Sequence, residues 1–299
     1  MSNAIVWLSS YPKSGSTWFR IVLSQLLNTS HTGHYIDDID TILGSAMPVS
    51  RGWMNRVLGF DSLLLSEQEI EQVRPKVYEW YARQLTRTVY MKTHDAYTYV
   101  DEQNPLIPSQ GCLGALYFVR NPLDVAISLA HHAKCPLDWS IQMMGNEQFR
   151  IPLAAQRDKQ IRQRLLSWSG HVKSWKSPPN IPVMVVRYED MFYEPVNTFS
   201  KAMSFLNLSY SLDDIKNAVE LGSFDRLQPY EKKGGFQEKS PQSAAFFRPG
   251  GVGDWKHTLS DKQIARVIAD HHDMMALYGY LNDTSQPVIN VRDALSLCE

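Results

Sequence analysis

Cysteine is scarce in this chain. Cys112, Cys135 and Cys298 are the three in 299 residues. An odd number without metal-ligand spacing argues against a disulfide framework and a zinc site, and predicts a reduced, intracellular protein. No apolar run reaches the ~20 residues of a membrane span. A strand pattern opening near Ala4 leaves no room for a signal peptide. The expectation is a cytoplasmic protein with no membrane partner. Neither sign of charge is in excess: 30 Lys and Arg face 31 Asp and Glu, a formal net charge of −1. No global field therefore draws in nucleic acid or a polyanionic polysaccharide, and any anion must be held by a local cluster. Internal repeats, low-complexity tracts and linkers are also missing. What is present is apolar: 43% of residues are hydrophobic, enough for a sizeable core in one large α/β domain.

The chain is organised around Tyr11-Pro12-Lys13-Ser14-Gly15-Ser16-Thr17-Trp18. An apolar run of strand length, Ala4–Leu8, precedes it. Behind it, Phe19–Leu27 carries apolar residues at helical spacing. A strand running into a helix N-terminus makes an anion site from unpaired amides and the helix dipole. Gly15 lets the backbone approach a ligand; Ser16 and Thr17 add hydroxyls, and Lys13 a full charge. The pattern is a phosphate or sulfate cradle. It is not the common nucleotide loop, because the lysine precedes the glycine and no carboxylate partner for Mg²⁺ is evident.

Further along, Thr88–Lys92 reads as a second strand ending in Thr93-His94-Asp95. Strand ends of open α/β sheets carry their chemistry. Leu113–Val119 is a third strand, running into Arg120-Asn121-Pro122, where Asn121 caps a helix, Pro122 takes its first position and Asp124 completes a capping box. Ser128 lies on that helix. Ser66–Gln84 predicts a capped helix with Pro75 inside it. Gln160–Trp175 also reads as helix, and Pro182–Arg187 as a fourth strand ending in Tyr188-Glu189-Asp190. Val196–Leu208, Leu212–Leu221 and Asp261–Tyr278 read as helices. Thr41–Phe60 shows no clean period, His131–Arg157 reads as a lid or an inserted core helix, and Ser223–Ala245 as a polar, mobile stretch. Phe246–Lys256, with Arg248 among glycines and Pro249, is a shaped loop.

Four of these elements resemble the PAPS-dependent (3′-phosphoadenosine 5′-phosphosulfate) cytosolic-type sulfotransferase family in that family's order: Tyr11–Trp18, Lys92-Thr93-His94, Arg120-Asn121-Pro122 through Ser128, and Arg248 through Lys256 with its G-x-x-G-D-W-K tail. Tyr188-Glu189-Asp190 is a weaker fifth. The resemblance implies an α/β fold in a single domain spanning 1–299, a central parallel sheet flanked by helices as in P-loop NTPases, with acceptor or lid insertions near 28–60 and 131–157. It implies that Lys13, Ser14, Gly15, Ser16 and Thr17 cradle the 5′-phosphosulfate. Arg120 and Ser128 then grip the 3′-phosphate, with Phe247, Arg248, Pro249 and Gly250 reaching the cofactor from the C-terminal loop. Trp18, Tyr188 and Phe224 face the adenine, His94 is the base and Lys92 its electrostatic helper. PAPS is the co-substrate and PAP the product, with lysines in place of a metal. The acceptor is a small molecule with a hydroxyl or amine group, of the kind found in bacterial secondary metabolism.

Pro249 replaces a usual lysine, Asp95 a usual apolar residue, and no dimerisation motif is recognisable in His257–Arg266, so no oligomeric state is assigned. Asp95, with Asp37, Asp38 and Asp40, either lines an acceptor pocket that favours a cation or is one of four solvated loop acids. A P-loop kinase or NTPase and a non-catalytic nucleotide-binding module are the competing readings. Neither accounts for the lysine position together with His94.

Overall fold

The computed structural model describes residues 4–28, 39–43, 48–152, 158–234 and 251–288. In chain order the elements are β1 (Ile5–Ser10), α1 (Ser16–Leu27), α2 (Ile39–Leu43), α3 (Arg51–Leu58), α4 (Glu67–Gln84), β2 (Val89–Thr93), β3 (Cys112–Val119), α5 (Pro122–Ala133), α6 (Leu137–Met144), β4 (Arg150–Ile151), β5 (Gln163–Arg164), α7 (Trp168–Ser174), β6 (Val183–Arg187), α8 (Tyr188–Tyr193), α9 (Pro195–Phe205), α10 (Leu212–Leu221), α11 (Phe224–Gly234), α12 (Trp255–Thr258) and α13 (Asp261–Leu277). The main sheet is parallel, in the order β2-β1-β3-β6.

All six residues of β1 are buried, because helices cover both faces of a parallel sheet. Alternate side chains feed two cores. Ile5, Trp7, Ala115 and Tyr117 face one way and pack with α4, α5 and α7. Val6, Leu8, Leu116 and Phe118 face the other way, against α1, α9 and α10. The chain leaves β1 toward β2 on one side and later returns to β3 on the other, so β1 lies at the switch point where such sheets place ligands. The cradle loop, His94, Arg120 and Tyr188 follow the carboxyl ends of β1, β2, β3 and β6 in turn.

Ser66 and Glu69 form the expected capping box of α4, and Asn121 caps α5 through the Leu123 amide. Asp124 departs from its expected role in a capping box. Its carboxylate accepts from the amides of Gly253 (2.9 Å) and Trp255 (3.1 Å), and Glu189 takes the Asn121 amide at 2.9 Å instead. Three other readings are corrected. The helix expected from Gln160 begins at Trp168, because Gln163 and Arg164 are drawn into an antiparallel pair with Ile151 and Arg150. Phe224–Gly234 is helix, with Phe224 packed on Trp18 and Leu227 buried. Arg51–Leu58, aperiodic in sequence, is a helix capped by Ser50 whose buried face carries Trp53 and Met54. Of residues 131–157, α6 buries Ile141 and Met144 in the core, and 153–157 lie outside the described residues.

Candidate active site

The cradle owes its shape to two residues with positive φ, Lys13 at 72° and Gly15 at 95°. Gly15 is required twice over: its φ disfavours side chains, and a Cβ there would lie 2.5 Å from Tyr188 Cδ2. No side chain caps α1, so its first amides form the anion-binding end of the helix. Ser14 is buried, and its Oγ has no hydrogen-bond partner among the described residues; the same holds for Arg120 Nε. Buried donors without acceptors are costly. Two of them around a helix N-terminus fit an anionic group seated in the loop. Arg120 is fixed by its other atoms: Nη1 donates to the Lys13 carbonyl at 3.3 Å and Nη2 to the Gly251 carbonyl at 3.2 Å. Its guanidinium lies 4.2 Å from the Tyr188 ring centroid, a cation–π distance.

Across the cradle, Lys92 Nζ donates to Thr17 Oγ1 at 3.4 Å. His94 is half-buried, with Nδ1 2.8 Å from the Ser10 carbonyl oxygen. A carbonyl only accepts, so the ring proton sits on Nδ1 and Nε2 carries the lone pair. Ser10 Oγ, 3.3 Å from the same nitrogen, donates onward to Ser16 Oγ at 3.1 Å, linking base and cradle. The backbone of His94 is held on both sides. Its amide donates to Gln163 Oε1 at 3.0 Å, and its carbonyl accepts from His171 Nε2 at 3.1 Å. His171 Nδ1 then accepts from the Tyr117 hydroxyl at 2.9 Å.

Lys13, Ser14, Gly15, Ser16 and Thr17 thus meet Lys92, His94 and Arg120 at the carboxyl end of the sheet. Trp18, Tyr188 and Phe224 also converge, with ring centroids 6.1 Å (Trp18–Tyr188) and 5.6 Å (Trp18–Phe224) apart. Ser128 is half-buried on α5 and makes no hydrogen bond to Arg120 among the described residues. Phe247, Arg248, Pro249 and Gly250, like Asp37 and Asp38, lie outside the described residues. Asp95 does not face an acceptor. It is fully buried, ion-paired with Arg74, and accepts the Arg164 amide at 2.9 Å and the Thr93 hydroxyl at 3.2 Å. Ser10, Gln163 and His171 escaped sequence reading. A serine closing a buried strand beside a phosphate loop was the available signal for Ser10; the other two reach His94 only through the fold.

His171 gives a pH prediction. Burial depresses it from 6.5 to about 3, and burial likewise takes His271 to about 4. A depressed histidine lends stability above its unfolded pKa and loses it as pH falls toward the folded value. Urea midpoints are therefore expected to drop as pH falls from 6.5, and His171→Gln is expected to flatten that drop. An unchanged slope in the variant would contradict a neutral buried His171.

Fold and cradle are those of an α/β protein with an anion-binding loop at the switch point of its sheet. The description "Sulfotransferase domain" matches residues 4–279, and the chain belongs to that family. It is 26% identical over 278 residues to the flavonol 3-sulfotransferase of Flaveria bidentis, covering 88% of this chain and 78% of that one. It is 24% identical to cytosolic sulfotransferase 12 of Arabidopsis thaliana, covering 88% and 76%. A mouse sulfotransferase solved with PAP shares the fold, with a TM-score of 0.56 and 20% identity over 92% of this chain and 84% of the other. Among the described residues no helix is long and apolar enough to cross a membrane, and no cluster of His, Cys, Asp or Glu is placed to hold a metal.

Proposed function

We propose that this sulfotransferase moves a sulfuryl group from PAPS to the hydroxyl or amine of a small acceptor in the cytosol. The observation that carries the reading is the His94 tautomer: a basic Nε2 beside an anion cradle with buried, unsatisfied donors. When bound, PAPS supplies the sulfuryl group and a phosphate leaving group.

The residues then divide the work. His94 Nε2 takes the acceptor proton, and the Ser10 carbonyl, bonded to Nδ1–H, orients the ring and steadies its imidazolium. Lys13 and the first amides of α1 offer fixed donors where charge grows on the leaving side, on the logic of an oxyanion hole. Lys92, through Thr17, ties the base strand to the cradle. Trp18, Tyr188 and Phe224 give a base-sized aromatic surface. Support for the cytosolic setting comes from relatives described as cytosolic. An acceptor screen with labelled PAPS tests the reading. Sulfated product from hydroxyl or amine compounds supports it, and PAP binding without transfer to any class of acceptor counts against catalysis.

Arg120 and Ser128 are assigned to the 3′-phosphate. Arg120→Ala and Ser128→Ala are expected to weaken PAPS far more than adenosine 5′-phosphosulfate, which lacks that phosphate. A hydrogen bond to a charged group is worth roughly 1.5–3 kcal/mol, so the selective loss is about tenfold or more for each. Calorimetric titration of both nucleotides reads it, and equal losses remove the assignment.

A further inference from the structure

A second polar cavity, of about 460 Å³, lies between the start of α4 and the β4–β5 pair. Arg150, Arg162, Arg164, Glu67 and Glu71 line it. It is separate from the cradle: Arg162 and Arg164 turn toward Glu71 on α4, whereas Gln163 between them turns to the His94 amide.

The charges in this cavity do not balance. Glu67 is committed to Arg51 outside it, at 2.8 Å. Glu71 is buried and serves three guanidiniums. Arg162 Nε bonds it at 2.7 Å and Arg164 Nε at 3.0 Å, with Arg150 Nη1 3.6 Å away. Burial pushes the Glu71 carboxyl up, but the bonds from Arg164 and Arg162 outweigh it, so Glu71 stays charged. One carboxylate thus faces three arginines. Two atoms at the cavity are also unsatisfied. Among the described residues, Arg150 Nη1 is buried with no acceptor within hydrogen-bond reach, and Glu67 Oε2 is buried with no donor. Burial, followed by the nearby Arg162 charge, pulls the Arg150 guanidinium below its ordinary range, an effect that an added anion relieves.

An unsatisfied cationic donor calls for an oxyanion. An unsatisfied carboxylate oxygen beside it calls for a proton on the same ligand. Phosphate keeps a P–OH group at neutral pH and meets both demands; sulfate carries no proton and meets one. We propose that this cavity is a binding site for a hydrogen phosphate group, with Arg150 contacting its oxygens and Glu67 accepting its P–OH proton.

The test uses the full chain saturated with PAP, so that the cradle is filled, and titrates inorganic phosphate, methyl phosphate and sulfate by calorimetry. Saturable phosphate binding is expected, with sulfate at least tenfold weaker. Methyl phosphate, whose second pKa of about 6 leaves it mostly without a P–OH group at neutral pH, is expected to bind more weakly than inorganic phosphate, and a match between the two would count against the Glu67 contact. Arg150→Gln is expected to weaken phosphate at least tenfold with PAP affinity unchanged. That variant leaves Glu71 its bonds to Arg162 and Arg164, so the fold is kept, and unchanged PAP binding reports it. Glu67→Gln is expected to close the gap between phosphate and sulfate. No saturable phosphate binding in the presence of PAP, binding indifferent to Arg150→Gln, or a phosphate–sulfate gap indifferent to Glu67→Gln would overturn the proposal. None of these outcomes depends on sulfuryl transfer, which the acceptor screen tests independently.

Discussion

His94→Ala is expected to lower kcat by about 10²-fold or more, the usual contribution of a general base, while PAP binding stays intact. Binding is spared because the cradle donors come from the β1–α1 loop and from Arg120, which is fixed by the Lys13 and Gly251 carbonyls. The base also needs the right tautomer. The Ser10 carbonyl fixes it at 2.8 Å, and a main-chain group cannot be lost by substitution, so the orientation survives changes at the Ser10 hydroxyl. Ser10→Ala is therefore expected to cost much less than His94→Ala. His171→Phe removes the bond to the His94 carbonyl and is expected to lower kcat without raising the KM for PAPS, because it moves the base and not the nucleotide site. Steady-state kinetics of the three variants decides the matter. Near-normal turnover in His94→Ala sinks its assignment as base.

The parts of the site that sequence exposes are those formed by continuous stretches. Lys13–Trp18 is legible because its chemistry is local: a strand, a glycine and a helix start determine an anion site wherever they occur. β1 to β3 are legible because burial on both faces writes apolar runs; β6, last in the sheet and half-buried except at Val186, is legible from its Val-Met-Val-Val run alone. Tyr188-Glu189-Asp190 is recognisable as a pattern, and its physics emerges only in three dimensions. Glu189 accepts from the Asn121 amide and from the Tyr280 hydroxyl at 3.0 Å, which joins three segments far apart in sequence. Asp124 resembled a capping residue because its spacing suits one. A tertiary partner, the Gly253–Trp255 turn, competes for the same carboxylate and wins with two amides. The helix expected over Gln160–Trp175 fails for a similar reason. Its apolar residues suit a helix, but the side chains of Arg162, Gln163 and Arg164 are claimed by Glu71 and His94, and an extended backbone delivers them. Leu166 at φ 60° and the Ser167 cap then start the helix later.

Asp95 shows how adjacency misleads. It follows the base directly, yet successive extended residues point to opposite sides, so the side chain beside a site residue is turned away from the site. Here it enters the core and meets Arg74, whose side chain is also fully buried. Arg74 Nε in turn bonds the Tyr78 hydroxyl at 2.9 Å, and its Nη1 bonds the Arg162 carbonyl at 3.1 Å. Breaking a buried pair by removing one partner leaves an uncompensated charge and costs about 3–5 kcal/mol. Arg74→Met is therefore expected to lower the unfolding free energy by that amount. Asp95→Asn leaves Arg74 as the uncompensated charge and is expected to cost a comparable amount, eased by the Arg164 amide that asparagine can still accept. The double variant should recover part of the Arg74→Met loss, because no charge is then left buried alone; partners in contact couple in this way. Denaturant unfolding of the four proteins measures the coupling, and strictly additive losses would show that the two charges do not depend on each other. The same Asp95→Asn protein tests acceptor choice. A carboxylate paired in the core cannot steer a ligand, so matched cationic and neutral acceptors should lose kcat/KM equally, and a selective loss for the cation would place Asp95 back in the acceptor pocket.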